Sequence, residues 1–114
     1  MNDKYILDGK TPVAEPDLMK WGKFMQKGNN RTVRKDTATV KLAGQPIGEV
    51  RISTVFLGLD HSFGEGPPLL FETMVFGGPL DQEQDRCSTW EAAEKMHELM
   101  CERVKRGIAA VGDT

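Results

Sequence analysis

The chain has 114 residues, 39% of them apolar, with two Trp and five Phe, enough for one hydrophobic core and too few for two. No run approaches the ~18 apolar residues that span a bilayer, and MNDKYILDGK lacks the basic start and apolar stretch of a signal peptide, so the expectation is one cytoplasmic domain over residues 1–114 with no membrane partner. The net charge of −2 conceals a segregation, because residues 20–41 carry seven cations against Asp36 alone and residues 60–85 carry six carboxylates with no Lys or Arg.

Residues 1–14 are polar with a DGK turn and read as an arm or a short edge strand anchored by Tyr5 and Ile6. Pro16 and Asp17 suit the start of a helix, and Leu18, Trp21, Phe24 and Met25 repeat at helical spacing. Gly28-Asn29-Asn30 then stops that helix near Lys27. The Thr-, Val- and Ile-rich run from Arg31 to Leu57, broken at Gly44-Gln45-Pro46, predicts two strands in a hairpin. A Gly/Pro loop over 58–68 leads to a third strand, LLFETMVF (69–76), ended by Gly77-Gly78-Pro79.

Ser88 with Glu91 makes a capping-box pattern, Thr89 being the competing cap. Trp90, Ala93, His97, Met100 and Val104 follow one face of the long helix that results. Gly107 weakens its last turn, and residues 108–114 are expected to fray. Cys87 and Cys101 show no CxxC and no Cys/His spacing of a structural zinc site, and read as reduced, packed thiols. The fold class expected is therefore α+β: an antiparallel sheet of three to four strands, packed on one face by an N-terminal and a C-terminal helix.

Alternation along the strands sharpens this. Val50, Ile52, Thr54 and Phe56 share one face, as do Leu69, Phe71, Thr73 and Val75, and these sets are expected to meet the helices. The other face would carry an Arg51–Glu72 cross-strand pair amid Val55, Leu57, Leu70, Met74 and Phe76. Left open, it exposes more apolar surface than a monomer usually tolerates.

The run STVFLGLDHSFGEGPPLLFETMVFGG (53–78), followed by QDRCSTWEAAEKMHE (84–98), resembles a recurrent small protein of tailed bacteriophages and prophages. The resemblance covers roughly residues 15–105 and rests on a Trp-containing first helix, the VFLGLDH…FG-GPP-LFETMVFGG core and a final helix carrying a His. It implies a phage origin, action in the host cytoplasm and a shared fold, and no activity. Cys87, where an aromatic residue is expected, and a longer segment around 36–46 depart from the pattern.

Two functional readings follow. In the first, the protein is a non-enzymatic accessory protein that binds a host or phage protein, or itself, through the open sheet face, with Asp60, His61 and the 58–68 loop as its rim. In the second it is a small hydrolase or metal-dependent enzyme. His61 beside Asp60 at a strand exit suits general-base or metal-ligand chemistry, with Glu72 joining and His97 reaching the same end of the sheet. The plainer alternative makes Asp60 a turn cap, pairs Glu72 with Arg51, and leaves His97 as a satisfied half-buried histidine. Nucleotide or nucleic-acid binding is a weaker option, since Lys20, Lys23, Lys27, Arg31, Arg34 and Lys35 are basic but no aromatic residues interleave for stacking, and no phosphate-cradling Gly motif occurs. No cofactor is expected.

Overall fold

The computed structural model describes residues 2–62 and 64–112. Strands β3 (Thr32–Leu42), β4 (Gln45–Phe56), β5 (Phe71–Phe76) and β6 (Gln84–Cys87) form one antiparallel sheet in that order. A separate hairpin pairs β1 (Tyr5–Asp8) with β2 (Thr11–Ala14), and the helices are α1 (Leu18–Gln26) and α2 (Trp90–Gly112). The expected α+β arrangement is thus observed, with α2 packed along the four-stranded sheet. The short QDRC strand β6 carries no hydrophobic alternation and was not expected. The N-terminal arm is a hairpin, tied to the body where Tyr5 N–H donates to the Gly58 carbonyl (2.9 Å).

Both helices begin on a side-chain cap. The Asp17 carboxylate accepts from the N–H groups of Met19 (2.9 Å) and Lys20 (3.2 Å), satisfying two orphan donors of α1. For α2 the cap is Thr89, whose hydroxyl accepts from Ala92 N–H at 3.1 Å. Helix α1 docks on the sheet's end through Phe24, edge-on to Phe56 at 6.0 Å, and through the Trp21 indole N–H, which donates to the Gly58 carbonyl at 3.0 Å. Gly58 is required there: its φ is +76°, and a Cβ would lie 2.5 Å from Met25 Sδ.

The β3–β4 turn falls at Ala43-Gly44, with φ of 52° and 79°, one residue earlier than the Gly44-Gln45-Pro46 expected. Positive φ at both central residues matches the two-residue hairpin turns whose twist suits the flanking strands. Helix α2 passes through Gly107 to Gly112, because Gly107 lies against Pro79 and Leu80 and Ile108 packs on the core. The frayed tail expected from 108 is therefore helical as far as 112, and residues 113–114 lie outside the described residues.

Alternation holds along both central strands. Val50, Ile52, Thr54, Phe56, Phe71, Thr73 and Val75 are buried, against Ala93, Met96, Met100 and Val104 of α2. Two expectations fail on register. Leu69 and Leu70 precede β5 and escape its alternation: Leu69, expected against the helices, is only half-buried, and Leu70 is buried at 1% exposure in the Phe56–Phe71 cluster instead of on the open face. Arg51 stands opposite Phe76 and Glu72 opposite Val55, so those two residues are four strand positions apart and do not pair. Glu72 instead accepts from Arg86 Nε of β6 at 2.9 Å, while the Arg51 guanidinium lies 4.8 Å above the Phe76 ring.

Strands β3 and β4 run well beyond β5, whose pairing ends at Arg51↔Phe76, and the surplus projects as a two-stranded arm with Leu42 and Ile47 exposed. The molecule measures 54 × 29 × 19 Å with a radius of gyration of 16.5 Å, against about 13 Å for a compact chain of this length.

Candidate functional site

The helix-facing side of the sheet is not wholly apolar. Thr54 on β4 and Thr73 on β5 stand opposite each other, and both are fully buried, together with His97 of α2. Buried polar groups must find partners within the protein, and here they find one another. Thr54 Oγ1 lies 2.5 Å from Thr73 Oγ1 and 2.7 Å from His97 Nδ1, and His97 Nε2 lies 2.7 Å from Asp36 Oδ2 on β3. The carboxylate can only accept, so the Nε2–H direction is fixed, while each threonine hydroxyl can donate or accept; one consistent set of directions satisfies all the groups. His97 Nε2–H donates to Asp36, Thr54 donates to the free Nδ1, and Thr73 donates to Thr54.

Asp36 is the outer end of this relay. The His97 hydrogen bond holds its carboxyl below the usual range, and the Arg34 and Lys105 charges act in the same sense. Arg34 Nη2 is 3.4 Å from Asp36 Oδ2, and Arg34 also reaches Glu98 at 3.6 Å. Cys101, one helical turn after His97, directs its Sγ to Asp36 Oδ2 at 3.9 Å. Desolvation, and then the neighbouring carboxylate, push that thiol up. Asp36 and Cys101 open onto a cavity of about 190 Å³, flanked by Arg34 and Lys105. Among the described residues, Asp36, His97 and Cys101 are the one group of three or more His, Cys, Asp or Glu side chains whose ligand atoms converge, all within 4.8 Å.

The residues singled out in the sequence fall in three places. Asp60 Oδ1 accepts from the N–H groups of Ser62 (2.8 Å) and Leu69 (3.0 Å), closing the loop on itself, and hydrogen bonding from Ser62 and then Leu69 draws its carboxyl down. His61 N–H donates to the Leu69 carbonyl at 3.0 Å, and its side chain is half-buried. Beside this loop lies a broad cleft bordered by Asp3, Tyr5 and Glu65. Glu72 belongs to the opposite face of the sheet from Thr73 and His97. Asp60, His61, Glu72 and His97 are therefore not brought together into one metal site.

That opposite face carries Arg51, Val55, Glu72, Met74 and Phe76, with Leu57 beyond the strand end. Arg51 is exposed and the others half-buried. The buried side chains of α2 and Phe24 of α1 all pack against the Val50–Phe56 side, and neither helix covers this one. Comparison with protein-family models, curated proteins and solved structures finds no match.

Asp36, Thr54, Thr73 and Cys101 were not among the residues singled out. Two signals point to them. His97 and Cys101 are spaced i, i+4 on one helix face, and alternation had already sent two threonines into the core beside a histidine, where they needed partners.

Proposed function

We propose that the protein is a non-enzymatic interaction protein of phage type, acting in the host cytoplasm. It engages a host or phage protein, or a second copy of itself, through the sheet face opposite the helices. The observation that carries this is the half-exposed strip of Val55, Met74 and Phe76 on a face that neither helix covers, beside an exposed arm tip at Leu42 and Ile47. Full burial of one such side chain contributes about 1.5–3 kcal/mol. Completing the half-burial of three therefore supplies only about 3 kcal/mol, less than the roughly 4–15 kcal/mol lost on association. The remainder must come from polar pairing and from the arm. Lys35, Arg51 and Arg86 supply cations around the strip, and Glu72 is already engaged by Arg86.

Light scattering and affinity capture on wild type and on Met74→Lys and Phe76→Lys variants test the reading. The expected result is a self-association or a captured partner that both variants lose while keeping the wild-type circular dichroism spectrum. A strict monomer that captures the same proteins with or without the lysines would refute it.

A further inference from the structure

We propose that Asp36, His97 and Cys101 form a binding site for one borderline divalent transition-metal ion, with Zn²⁺ the best-matched, completed by a fourth ligand from the adjoining cavity. This inference does not depend on the sheet-face reading. Its first ground is geometric. A carboxylate oxygen, an imidazole nitrogen and a sulfur converge within 4.8 Å, with Nε2···Oδ2 at 2.7 Å and Sγ···Oδ2 at 3.9 Å. Zinc bonds of about 2.0–2.3 Å in a tetrahedron put such donors roughly 3.3–3.6 Å apart. An ion entering between them would spread the Asp36–His97 pair by about half an ångström and draw the Cys101 sulfur toward the imidazole by up to about 1 Å. Asp36 is half-exposed and so free to make that shift.

The second ground is the shell behind the histidine. A metal-bound Nε2 sends its proton to Nδ1, which then needs an acceptor. Thr54 Oγ1 is already 2.7 Å from Nδ1, and Thr54 can accept there because its own proton can turn to Thr73. Turning the Thr54 O–H toward Thr73 therefore lets Thr54 accept from Nδ1–H without moving a heavy atom, and the Thr73 proton then gives up its present acceptor.

The third ground is donor chemistry and access. Sulfur and imidazole select zinc-like ions over Mg²⁺ or Ca²⁺, which take oxygen. Three protein ligands leave one position, and it faces the cavity of about 190 Å³. The ion's two positive charges are matched by the Asp36 carboxylate and the Cys101 thiolate, so Arg34 and Lys105 at the cavity wall favour an anionic fourth ligand such as hydroxide or a small carboxylate. Binding takes the proton of the Cys101 thiol, because the thiolate is the ligand. A nucleophilic role for Cys101 is poorly served by this geometry, since both imidazole nitrogens are engaged, by Thr54 and Asp36.

The test titrates metal-stripped, reduced full-length protein with Co²⁺ and follows its ligand-field bands and thiolate-to-cobalt charge-transfer absorption. Zn²⁺ is then added as competitor, and proton release is measured by calorimetry in buffers of different ionisation enthalpy. One ion per chain, a charge-transfer band bleached by Zn²⁺ and proton release on binding are expected. Cys101→Ser should abolish the band, and Cys101→Ser and Asp36→Asn should each weaken binding at least about tenfold, with Cys87→Ser unchanged. The variants avoid the buried histidine, so loss of binding can be read against a retained fold by circular dichroism. No charge-transfer band, or binding that survives Cys101→Ser and Asp36→Asn alike, would overturn the proposal.

Discussion

Replacing Thr54 by valine removes one hydroxyl and almost no volume, and it strands two groups at once. Thr54 Oγ1 serves both Thr73 and His97 Nδ1, and all three residues are fully buried. Each orphaned buried group costs about 1–3 kcal/mol, so Thr54→Val is expected to lose roughly 2–5 kcal/mol. That is a large part of the roughly 5–15 kcal/mol by which a domain is stable. Thr73→Val leaves the Thr54–His97 bond in place and should cost only about 1 kcal/mol. The double variant strands only the imidazole nitrogen, so it should be more stable than Thr54→Val alone by about 1–2 kcal/mol, a coupling that additivity forbids. Equilibrium urea unfolding reads this directly. With a slope of about 1–3 kcal/mol per molar, the Thr54→Val midpoint should fall by roughly 1–3 M and partly return when Thr73→Val is added. Equal losses in the two single variants, or a double variant worse than Thr54→Val by the whole cost of Thr73→Val, would refute the relay.

The carboxyl of Asp36 is held below its ordinary range when folded, so the stability it contributes is present above the unfolded carboxylate pKa of about 3.9 and is lost as pH falls through the folded value. Asp36→Asn should therefore narrow its gap to wild type below about pH 4 in a stability-against-pH series; a gap that stays constant would contradict this. Gly58→Ala forces a side chain into positive φ and against Met25. It should cost about 1–3 kcal/mol, seen as a lower thermal midpoint with Trp emission shifted red as α1 loosens. Ala43 sits at φ 52° before Gly44, so Ala43→Asn, which makes the preferred Asn-Gly turn, should raise stability by about 0.5–1 kcal/mol on chemical unfolding.

Much of the fold was legible because strand alternation and helical spacing are local. The buried residues of β4 and β5 follow from every second position, and those of α2 fall at or beside the stripe read from Trp90 to Val104. What was missed is non-local or carries no pattern. Strand β6 is QDRC, recognisable only by its pairing with β5, and without it Glu72 was given to Arg51 rather than Arg86. Alternation extended two residues ahead of Phe71, where the strand begins, puts Leu70 on the wrong face. A four-residue site around Asp60 and His61 conflicts with the alternation itself, which puts Glu72 on the face away from the helices and His97 against the other. Asp36 was visible as the lone carboxylate in a cationic stretch, but its partner lies 61 positions away.

The relay bears on how the sheet chooses its register. A slip of one residue between β4 and β5 would turn one strand over and send Arg51 or Glu72 into the core, and hydrophobic alternation forbids it. A slip of two residues keeps every apolar side chain on its proper face, so alternation alone does not exclude it. In the observed register Ile52 faces Val75, Thr54 faces Thr73 and Phe56 faces Phe71. Shifted by two, Thr54 would stand opposite Val75 or Phe71, and Thr73 would lose the hydroxyl that now accepts its proton. Each stranded group then costs about 1–3 kcal/mol. A core filled only with aliphatic side chains would be as stable or more so, yet it would not separate these two registers. Two threonines in the middle of the sheet and a histidine of α2 against them make that distinction, and they do so by aligning a hydrogen-bonded chain that ends at Asp36 on the cavity wall.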